Sequence, residues 1–216
     1  MEIKYHGHSC FEIKNKGITV ITDPYSEEIG LKLPKLKANI VTVSHDHYDH
    51  NNISAIERAK SEKEIFVTNN PGGYEVEGVL IEGIASFHDD KEGEERGTNT
   101  IFNIKMGDIT LCHLGDLGTK LTDVQTDEID GVDILFVPVG GIYTIDAKTA
   151  ADVVNKIEPR IVIPMHYKTE GLKIELEGVD KFIKEMGMEA EKMDTLKIEK
   201  KDLPQEEMKL IVLNKA

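Results

Sequence analysis

The sequence contains no tryptophan and only two cysteines, Cys10 and Cys112, which excludes a fold held together by a framework of disulfides. Both cysteines lie in strand-like apolar runs, so we expect buried free thiols. No apolar run approaches the ~20 residues that span a membrane, and residues 1–6 lack the apolar core of a signal peptide. We therefore predict a cytoplasmic protein that does not bind a membrane.

Positive charge is also scarce. The chain has 26 Lys and Arg against 40 Asp and Glu, which gives a formal net charge of −14 at pH 7. Because contacts to phosphates need Lys and Arg, this charge argues against nucleic acid as a partner and favours a small-molecule substrate. With 216 residues the chain can bury a sizeable core, and we predict one domain over residues 1–216. The sequence does not indicate an oligomeric state.

What the sequence does have is a dense polar cluster after a strand-like apolar run. Residues 45–50 read His-Asp-His-Tyr-Asp-His. In extended backbone His45 and His47 point to the same side, and Asp49 and His50 can face a second point once the chain turns. Imidazole and carboxylate suit zinc, manganese or iron, and the absence of a nearby thiolate argues against a structural zinc site. The alternative is a solvated loop, which such a density of ionisable groups disfavours.

Polar residues also follow other predicted strands. The predicted strands cover residues 2–5, 10–14, 18–22, 64–68, 79–87, 100–105, 109–112, 132–137, 160–163, 195–200 and 208–213. The residues at the ends of the earlier ones include His8, Asp23, His88, Asp116 and His166. Each half of the chain has a hairpin followed by buried strands. This pattern predicts an α/β domain with two sheets and helices outside, in which the polar strand ends converge.

The segments between these strands are predicted as helices, turns and loops. Residues 53–63 have helical spacing with Ser54 as the cap, and helices are also predicted at Ala147–Ile157 and Val179–Met186. Residues 69–73 read as a turn. Residues 91–97 are acidic and glycine-bearing, so we expect an exposed loop; whether it closes over a site stays open.

The chain resembles a known family at its most polar positions. Residues 45–50 match the H-x-H-x-D-H signature of the metallo-β-lactamase-fold hydrolases, and the strand-end His88, the Gly115-Asp116 pair and the late His166 match later landmarks. Within that superfamily it looks most like the small metal-dependent hydrolases similar to L-ascorbate-6-phosphate lactonase. This closer match is carried by residues 7–9, 23–24, 96–100, 113–118 and 164–167.

The resemblance implies an α/β (α+β) fold, a four-layer αββα sandwich of two similar halves with two metal ions at one edge. It implies a hydrolase in which a bridging hydroxide attacks an ester-like bond, in a lactone or a phosphoester of a phosphorylated sugar-like metabolite. The ions are expected to be zinc, with manganese or iron as alternatives. Carried over by position, the ligands are His45, His47 and His88 for the first ion, Asp49, His50 and His166 for the second, and Asp116 as the bridge.

The third ligand of the first ion is open between two histidines. His88 ends a strand as the family's motif does and is preferred, whereas His113 would be a hydrogen-bond donor or an electrophile near the substrate. Arg96 and Asn99 flank the presumed site and suit an anionic or polar substrate group. Together with Asp49, these residues form the expected catalytic set: Asp49, His113, Arg96 and Asn99.

Four further residues are weighed between function and structure. His8 and Asp23 either support ligand histidines through hydrogen bonds or are buried structural residues. Tyr143 and Lys168 are further candidates on the substrate side.

Two other functions fit the same signature. One is a phosphodiesterase or nuclease of the same fold, which the negative charge disfavours. The other is a regulatory protein that binds metal without catalysis, which the intact set of ligands disfavours.

Overall fold

The computed structural model describes residues 1–60 and 63–216, and in them the chain forms two main β-sheets. Sixteen strands are described: β1 Glu2–Gly7, β2 Cys10–Asn15, β3 Ile18–Thr22, β4 Leu36–Ala38, β5 Ile40–Thr42, β6 Ile56–Arg58, β7 Phe66–Thr68, β8 Gly72–Val76, β9 Val79–Phe87, β10 Thr98–Met106, β11 Ile109–His113, β12 Ile134–Pro138, β13 Ile161–Met165, β14 Ala190–Met193, β15 Leu196–Lys197 and β16 Lys209–Leu213. The α-helices are α1 Asp123–Glu128, α2 Ala147–Ile157 and α3 Val179–Met186. Short 3-10 helices lie at Glu27–Ile29, Ile53–Ala55 and Lys200–Asp202.

The two sheets are built alike. One has the order β15-β1-β2-β3-β5-β7 and the other β14-β16-β13-β12-β11-β10-β9-β8. In each, three antiparallel strands (β1–β3 or β9–β11) continue into parallel strands. Parallel strands end at the same edge of a sheet, so the polar residues that follow them are brought together. The predicted α/β sandwich of two similar halves is confirmed.

The main hydrophobic core lies between the sheets. The ring centroids of Phe11 on β2 and Phe136 on β12 are 4.3 Å apart, so side chains of the two sheets are in direct contact. Both rings are fully buried. This contact sets the two sheets face to face, and with them the strand ends that carry the polar residues.

Helices cover the outer face of the larger sheet. In α2 the buried residues fall on one face, and the side chain of Asp146, its N-cap residue, accepts a hydrogen bond from Thr149 N at 2.8 Å. Helix α3 packs against α2 with Phe182 fully buried. Both helices have the predicted bounds, because caps and amphipathic spacing are local signals.

The smaller sheet has a different outer layer, and the helix predicted at residues 53–63 is wrong in its described part. Residues 61 and 62 lie outside the described residues. The preceding ones form the 3-10 turn Ile53–Ala55 and the strand β6, which pairs in parallel with β4. Ile56 is buried in a second cluster with Tyr25 and Leu36, and Ile53 packs beside it. A turn followed by a strand thus brings Ile53 and Ile56 to the same cluster, although their i, i+3 spacing is typical of a helix.

The predicted turn at residues 69–73 continues into β8, an edge strand that pairs antiparallel with β9. Glycine is unfavourable inside a strand, so Gly72 and Gly73 made the start of β8 look like part of a turn in the sequence. No helix among the described residues is long and apolar enough to cross a membrane.

Candidate metal centre

Six segments that are distant in sequence meet at one edge of the two sheets. They are the turn between β1 and β2 and the residues at or after the ends of β3, β5, β9, β11 and β13. The histidine and carboxylate side chains that they bring together include all the predicted metal ligands: His45, His47, Asp49, His50, His88, Asp116 and His166.

Asp116 lies at the middle of this cluster, with its side chain 2% exposed. Its Oδ2 is 3.1 Å from Nε2 of His166, 3.2 Å from that of His50, 3.4 Å from that of His88 and 3.9 Å from that of His45. The Oδ1 atom is buried and has no hydrogen-bond partner. A carboxylate surrounded by four imidazoles is well placed to bridge two cations.

The possible ligand atoms form two separate groups that Asp116 connects. In each group the ligand atoms lie within 4.8 Å of one another. The first group is His45, His47 and His88; the second is His8, Asp49, His50 and His166; and a third, His45, His50 and Asp116, spans the two. The first two groups match the predicted ligand sets, and His8 joins the second of them.

Hydrogen bonds fix which ring nitrogen of two histidines faces the centre. Ser44 Oγ donates to Asp23 Oδ2 at 2.6 Å, so at 2.9 Å it accepts from Nδ1–H of His45. His50 Nδ1 donates to the same oxygen of Asp23 at 2.9 Å. Both rings therefore direct Nε2 at the centre, and Nε2 of His45 is buried without a partner. This is how ligand histidines are commonly held, by a partner on the other nitrogen.

The electrostatics at this edge favour a bound cation. Burial, and then the charge of His50, lowers the pKa of His45 to about 3, so its ring is neutral and can donate a lone pair. Burial opposes a charge on His50 too, but the adjacent Asp116, Asp23 and Asp49 outweigh it and hold its pKa well above the usual range. Metal ions compete with protons for such ligands, so the carboxylates that stabilise a proton here would also stabilise a metal. The donor set fits divalent cations.

Two of the predicted catalytic residues lie behind the cluster and do not line the cavity beside it. Asn99 is 1% exposed; its amide donates to Ser86 Oγ at 2.7 Å and Leu114 O at 2.9 Å, and its Oδ1 accepts from Asp116 N at 2.9 Å. His113 Nε2 donates to Ser9 O at 3.0 Å. Both side chains are occupied by hydrogen bonds within the fold. Asn99 therefore supports Asp116 through its backbone. Of the two candidate histidines, His88 is the one that faces the cluster.

A cavity of about 570 Å³ opens over the cluster. His47, Asp49, His88, Asp116 and His166 line its floor, and Glu28, Tyr48, Glu95, Arg96, Tyr143, Lys173 and Glu175 are among its walls. The Arg96 guanidinium lies 5.8 Å from the centre of the Tyr143 ring. Lys168 does not reach the cavity, because its Nζ donates to the carbonyls of Leu172 and Ile174.

The loop at residues 91–97, which carries Arg96, is organised by one carboxylate. Asp89 is 2% exposed, and it accepts hydrogen bonds from the backbone N–H of Lys91, Gly93, Glu95 and Arg96 at 2.7–3.0 Å. Burial opposes its ionisation, but these four donors lower the pKa of Asp89 to about 2. The loop is therefore held in one conformation beside the cavity.

Two glycines allow the strand ends to approach one another this closely. A Cβ atom on Gly118 would lie 2.2 Å from the carbonyl of His88, and one on Gly140 would lie 2.1 Å from the carbonyl oxygen of His166. Any side chain at either position would displace a predicted ligand.

Comparison with known proteins agrees with this geometry. The sequence profile of the beta-lactamase superfamily domain matches residues 2–166. A UPF0173 metal-dependent hydrolase of Thermoplasma acidophilum is 32% identical over 190 residues, which cover 78% of this chain and 84% of the relative. Another from Staphylothermus marinus is 34% identical over 196 residues, 77% of this chain and 83% of the relative.

Solved structures show the same fold. The crystal structure of a proposed Zn-dependent hydrolase of the metallo-β-lactamase superfamily from Thermotoga maritima has a TM-score of 0.80 and 37% sequence identity, covering 98% of this chain and 97% of that one. The chain belongs to the metallo-β-lactamase superfamily and, within it, to the UPF0173 metal-dependent hydrolases. It is a metal-dependent hydrolase; its likeness to the ascorbate-phosphate lactonase branch stays a prediction.

Three features of the site have a weak signal in the sequence or none. His8 is expected at most as a supporting residue, although it lies in a Gly-His-Ser turn directly after β1. Asp89 follows His88 directly, and its role in holding the next loop is visible only in the structure. Lys173 gives no signal in the sequence, because only the fold brings its segment against the cavity.

We predict that Asp23→Asn weakens metal binding at both positions by roughly 10- to 100-fold. The amide cannot accept from both His50 and Ser44 as the carboxylate does, so two ligand rings lose their orientation. The measurement is chelator competition followed by metal analysis. Asp133→Asn is the matched control. Asp133 is also buried, but it lies away from the site, where it accepts a hydrogen bond from Lys200 Nζ at 2.8 Å. Unchanged metal affinity in Asp23→Asn would contradict the assignment.

We also predict that Asp89→Asn loosens the loop at residues 91–97, because an amide oxygen cannot accept all four N–H bonds. Hydrogen exchange of these four amides should become roughly 10-fold faster or more, while exchange in β10 is unaffected. The exposed neighbour gives the control, Asp90→Asn. The stability lost in Asp89→Asn should itself shrink as the pH falls from about 4 towards about 2, because the wild-type carboxylate then binds its proton.

Proposed function

We propose that this hydrolase uses two divalent cations to cleave an ester-like bond, in a lactone or a phosphoester, of a small anionic metabolite. The observation that carries this proposal is the pair of ligand groups joined through Asp116, whose Oδ2 lies 3.1–3.9 Å from four imidazole nitrogens. Zinc is the first candidate for the metal, with manganese or iron as alternatives.

The ligand positions divide between the two cations. His45, His47 and His88 would hold one, Asp49, His50 and His166 would hold the other, and Asp116 would bridge them. When bound, such a pair lowers the pKa of a shared water towards neutrality and polarises a carbonyl or phosphoryl group. The chain's own residues would position the two cations and balance their charge.

No described residue offers a nucleophilic side chain to this cavity in the manner of a Ser or Cys triad. Both thiols are free but buried, and burial raises the pKa of Cys10 and Cys112 well above the usual range. Water is therefore the nucleophile in this proposal. The Asp49 side chain is 14% exposed at the cavity floor. Burial opposes its ionisation, but hydrogen bonds from His50 and His8 hold the pKa of Asp49 well below its usual range, so the carboxylate stays ionised and suits a cation better than a proton.

The walls of the cavity suit an anionic group on the substrate. Arg96 and Lys173 provide positive charge near the proposed ligands, although Glu28, Glu95 and Glu175 also line the walls. Among the described residues Arg96 forms one ion pair, with Glu95 at 3.9 Å, which an anionic substrate group can replace. The Tyr48 and Tyr143 side chains, 56% and 40% exposed, give flat apolar faces at the opening. Together they favour a small ring-bearing molecule with a phosphate or carboxylate.

We predict that the wild-type protein binds two equivalents of metal per chain and that Asp116→Asn reduces binding at both positions. The variant removes the negative charge that the four imidazoles share, at nearly constant volume. Metal analysis after dialysis in zinc, manganese or iron measures the occupancy. One equivalent in the wild type would overturn the two-metal proposal.

The same metal-loaded protein decides between the candidate activities. A screen with lactones, phosphomonoesters, phosphodiesters and thioesters should show turnover of a lactone or a phosphoester. Turnover of phosphodiesters alone would identify a phosphodiesterase or nuclease. No turnover of any of these substrates with both positions filled would contradict the proposed cleavage of an ester-like bond.

For the anionic substrate, Arg96→Ala should raise KM by roughly 10- to 100-fold while kcat and the metal content change little, because Arg96 is not among the proposed metal ligands. Lys91→Ala is the control in the same loop; its side chain pairs with Glu95 and does not line the cavity. An unchanged KM in Arg96→Ala would contradict an anion-binding role.

A further inference from the structure

His8 occupies a position that the proposed two-metal mechanism does not explain. It lies in the turn between β1 and β2 and is completely buried. Its Nε2 is 3.0 Å from Asp49 Oδ2 and 3.1 Å from Nε2 of His50. Its ring centre is 4.2 Å from that of His166. The ring therefore faces all three of the residues assigned to the second cation.

The spacing between these atoms matches that of ligands around one cation. Two donors that are each about 2.1 Å from a metal lie about 3.0 Å apart at a right angle and about 3.4 Å apart at a tetrahedral angle. The distances from His8 Nε2 to its two neighbours fall at the start of this range, and the distance from His50 Nε2 to Asp49 Oδ2 is 3.6 Å. Each of these contacts is also short enough for a hydrogen bond, but the ligand atoms of His8, Asp49, His50 and His166 all lie within 4.8 Å of one another, as donors around one cation do.

The orientation of the His50 ring supports this interpretation. Its Nδ1 donates to Asp23, which directs Nε2 towards His8. The acidic neighbours that stabilise a proton on His50 would also stabilise a metal there. With a cation in place of that proton, Nε2 of both histidines and a carboxylate oxygen of Asp49 converge on one point.

The backbone holds His8 in this place. Its carbonyl accepts hydrogen bonds from His166 N at 2.8 Å and from Tyr5 Oη at 3.0 Å. The first of these joins His8 directly to a ligand on the other sheet. The position of the ring is therefore set by the same docking of the sheets that assembles the rest of the site.

We infer that His8 is an additional ligand of the second cation, beside Asp49, His50 and His166. This inference rests on the proposed two-metal centre. With Asp116 as the bridge, the second position has five protein donors and the first has four. The second position therefore suits a cation that accepts five or six ligands, such as Mn²⁺ or Fe²⁺, better than four-coordinate Zn²⁺.

The test uses the full chain carrying His47→Gln and His88→Gln, which lacks two ligands of the first position. This background is expected to bind one Co²⁺ with the weak d–d absorption of five- or six-coordinate cobalt. X-ray absorption on that cobalt, with His8 intact, should show three imidazoles. Two imidazoles would overturn the inference, and this measurement does not require a His8 variant to fold.

Adding His8→Gln to this background should weaken cobalt binding by roughly 100-fold. Gln can still donate a hydrogen bond to Asp49, so a merely supporting role would leave the affinity unchanged, and that result would overturn the inference. His6→Gln is the matched control: His6 is also buried, lies two residues earlier and faces Glu12 at 3.8 Å. Its cobalt affinity should equal that of the background.

The results also separate this inference from the two-metal proposal. Suppose that the wild type binds one metal, that the substitutions at His47 and His88 abolish this binding and that His8→Gln does not affect it. The two-metal proposal and the inference about His8 then both fail. If the wild type binds one metal that only His8→Gln releases, the two-metal proposal fails and the role of His8 stands.

Discussion

The whole site depends on one buried carboxylate, that of Asp116, lying among the imidazoles of two sheets. Burial opposes ionisation, yet the neighbouring His166 and His50 hold the pKa of Asp116 well below its usual range. An ion in such a place is costly unless it is paired, so the histidines, the carboxylate and any bound cation stabilise one another. Asn99 Oδ1 accepts a hydrogen bond from Asp116 N at 2.9 Å, which holds the backbone of this carboxylate from behind.

Because the proposed ligands come from both sheets, the proposed site can form only when the sheets are docked. Three hydrogen bonds join them at this edge: Thr100 N to Ser44 O at 2.8 Å, His166 N to His8 O at 2.8 Å and His113 Nε2 to Ser9 O at 3.0 Å. His113 thus contributes to the site through the fold, although it does not face the cavity. The Phe11–Phe136 contact supplies the apolar part of the same docking.

The backbone around the cluster is held in unfavourable conformations. His8, Asp23 and His166 all have positive φ, at 57°, 37° and 52°. Each such residue costs on the order of 1–3 kcal/mol and persists only where surrounding contacts enforce it. These are three of the eight non-glycine residues with positive φ among the described residues, and all three lie where side chains converge on the cluster. Their strain fits a site that is assembled at the expense of local stability.

Much of this molecule is encoded locally and could be predicted. Helices α2 and α3 have the predicted bounds because Asp146, Gly178 and the apolar spacing act within a few residues. The cluster at residues 45–50 likewise indicates candidate ligands, because its histidines and aspartates lie within six consecutive residues. The helix predicted at residues 53–63 was wrong because Ile53 and Ile56 pack against a remote part of the chain, and periodicity cannot distinguish a helix from a turn and a strand at that spacing.

The sequence by itself determined the class of fold, the kinds of ligand and the strand ends that carry them, since alternation, caps and motif spacing are short-range properties. Only the tertiary structure decided which of those side chains face one another. It turned Asn99 and His113 inward to hydrogen bonds, directed Nε2 of His88 at Asp116 and placed His8 beside Asp49. The physical reason is that a side chain's direction at a strand end depends on φ, on close approach at residues such as Gly118 and Gly140, and on the partner sheet, none of which short-range patterns contain.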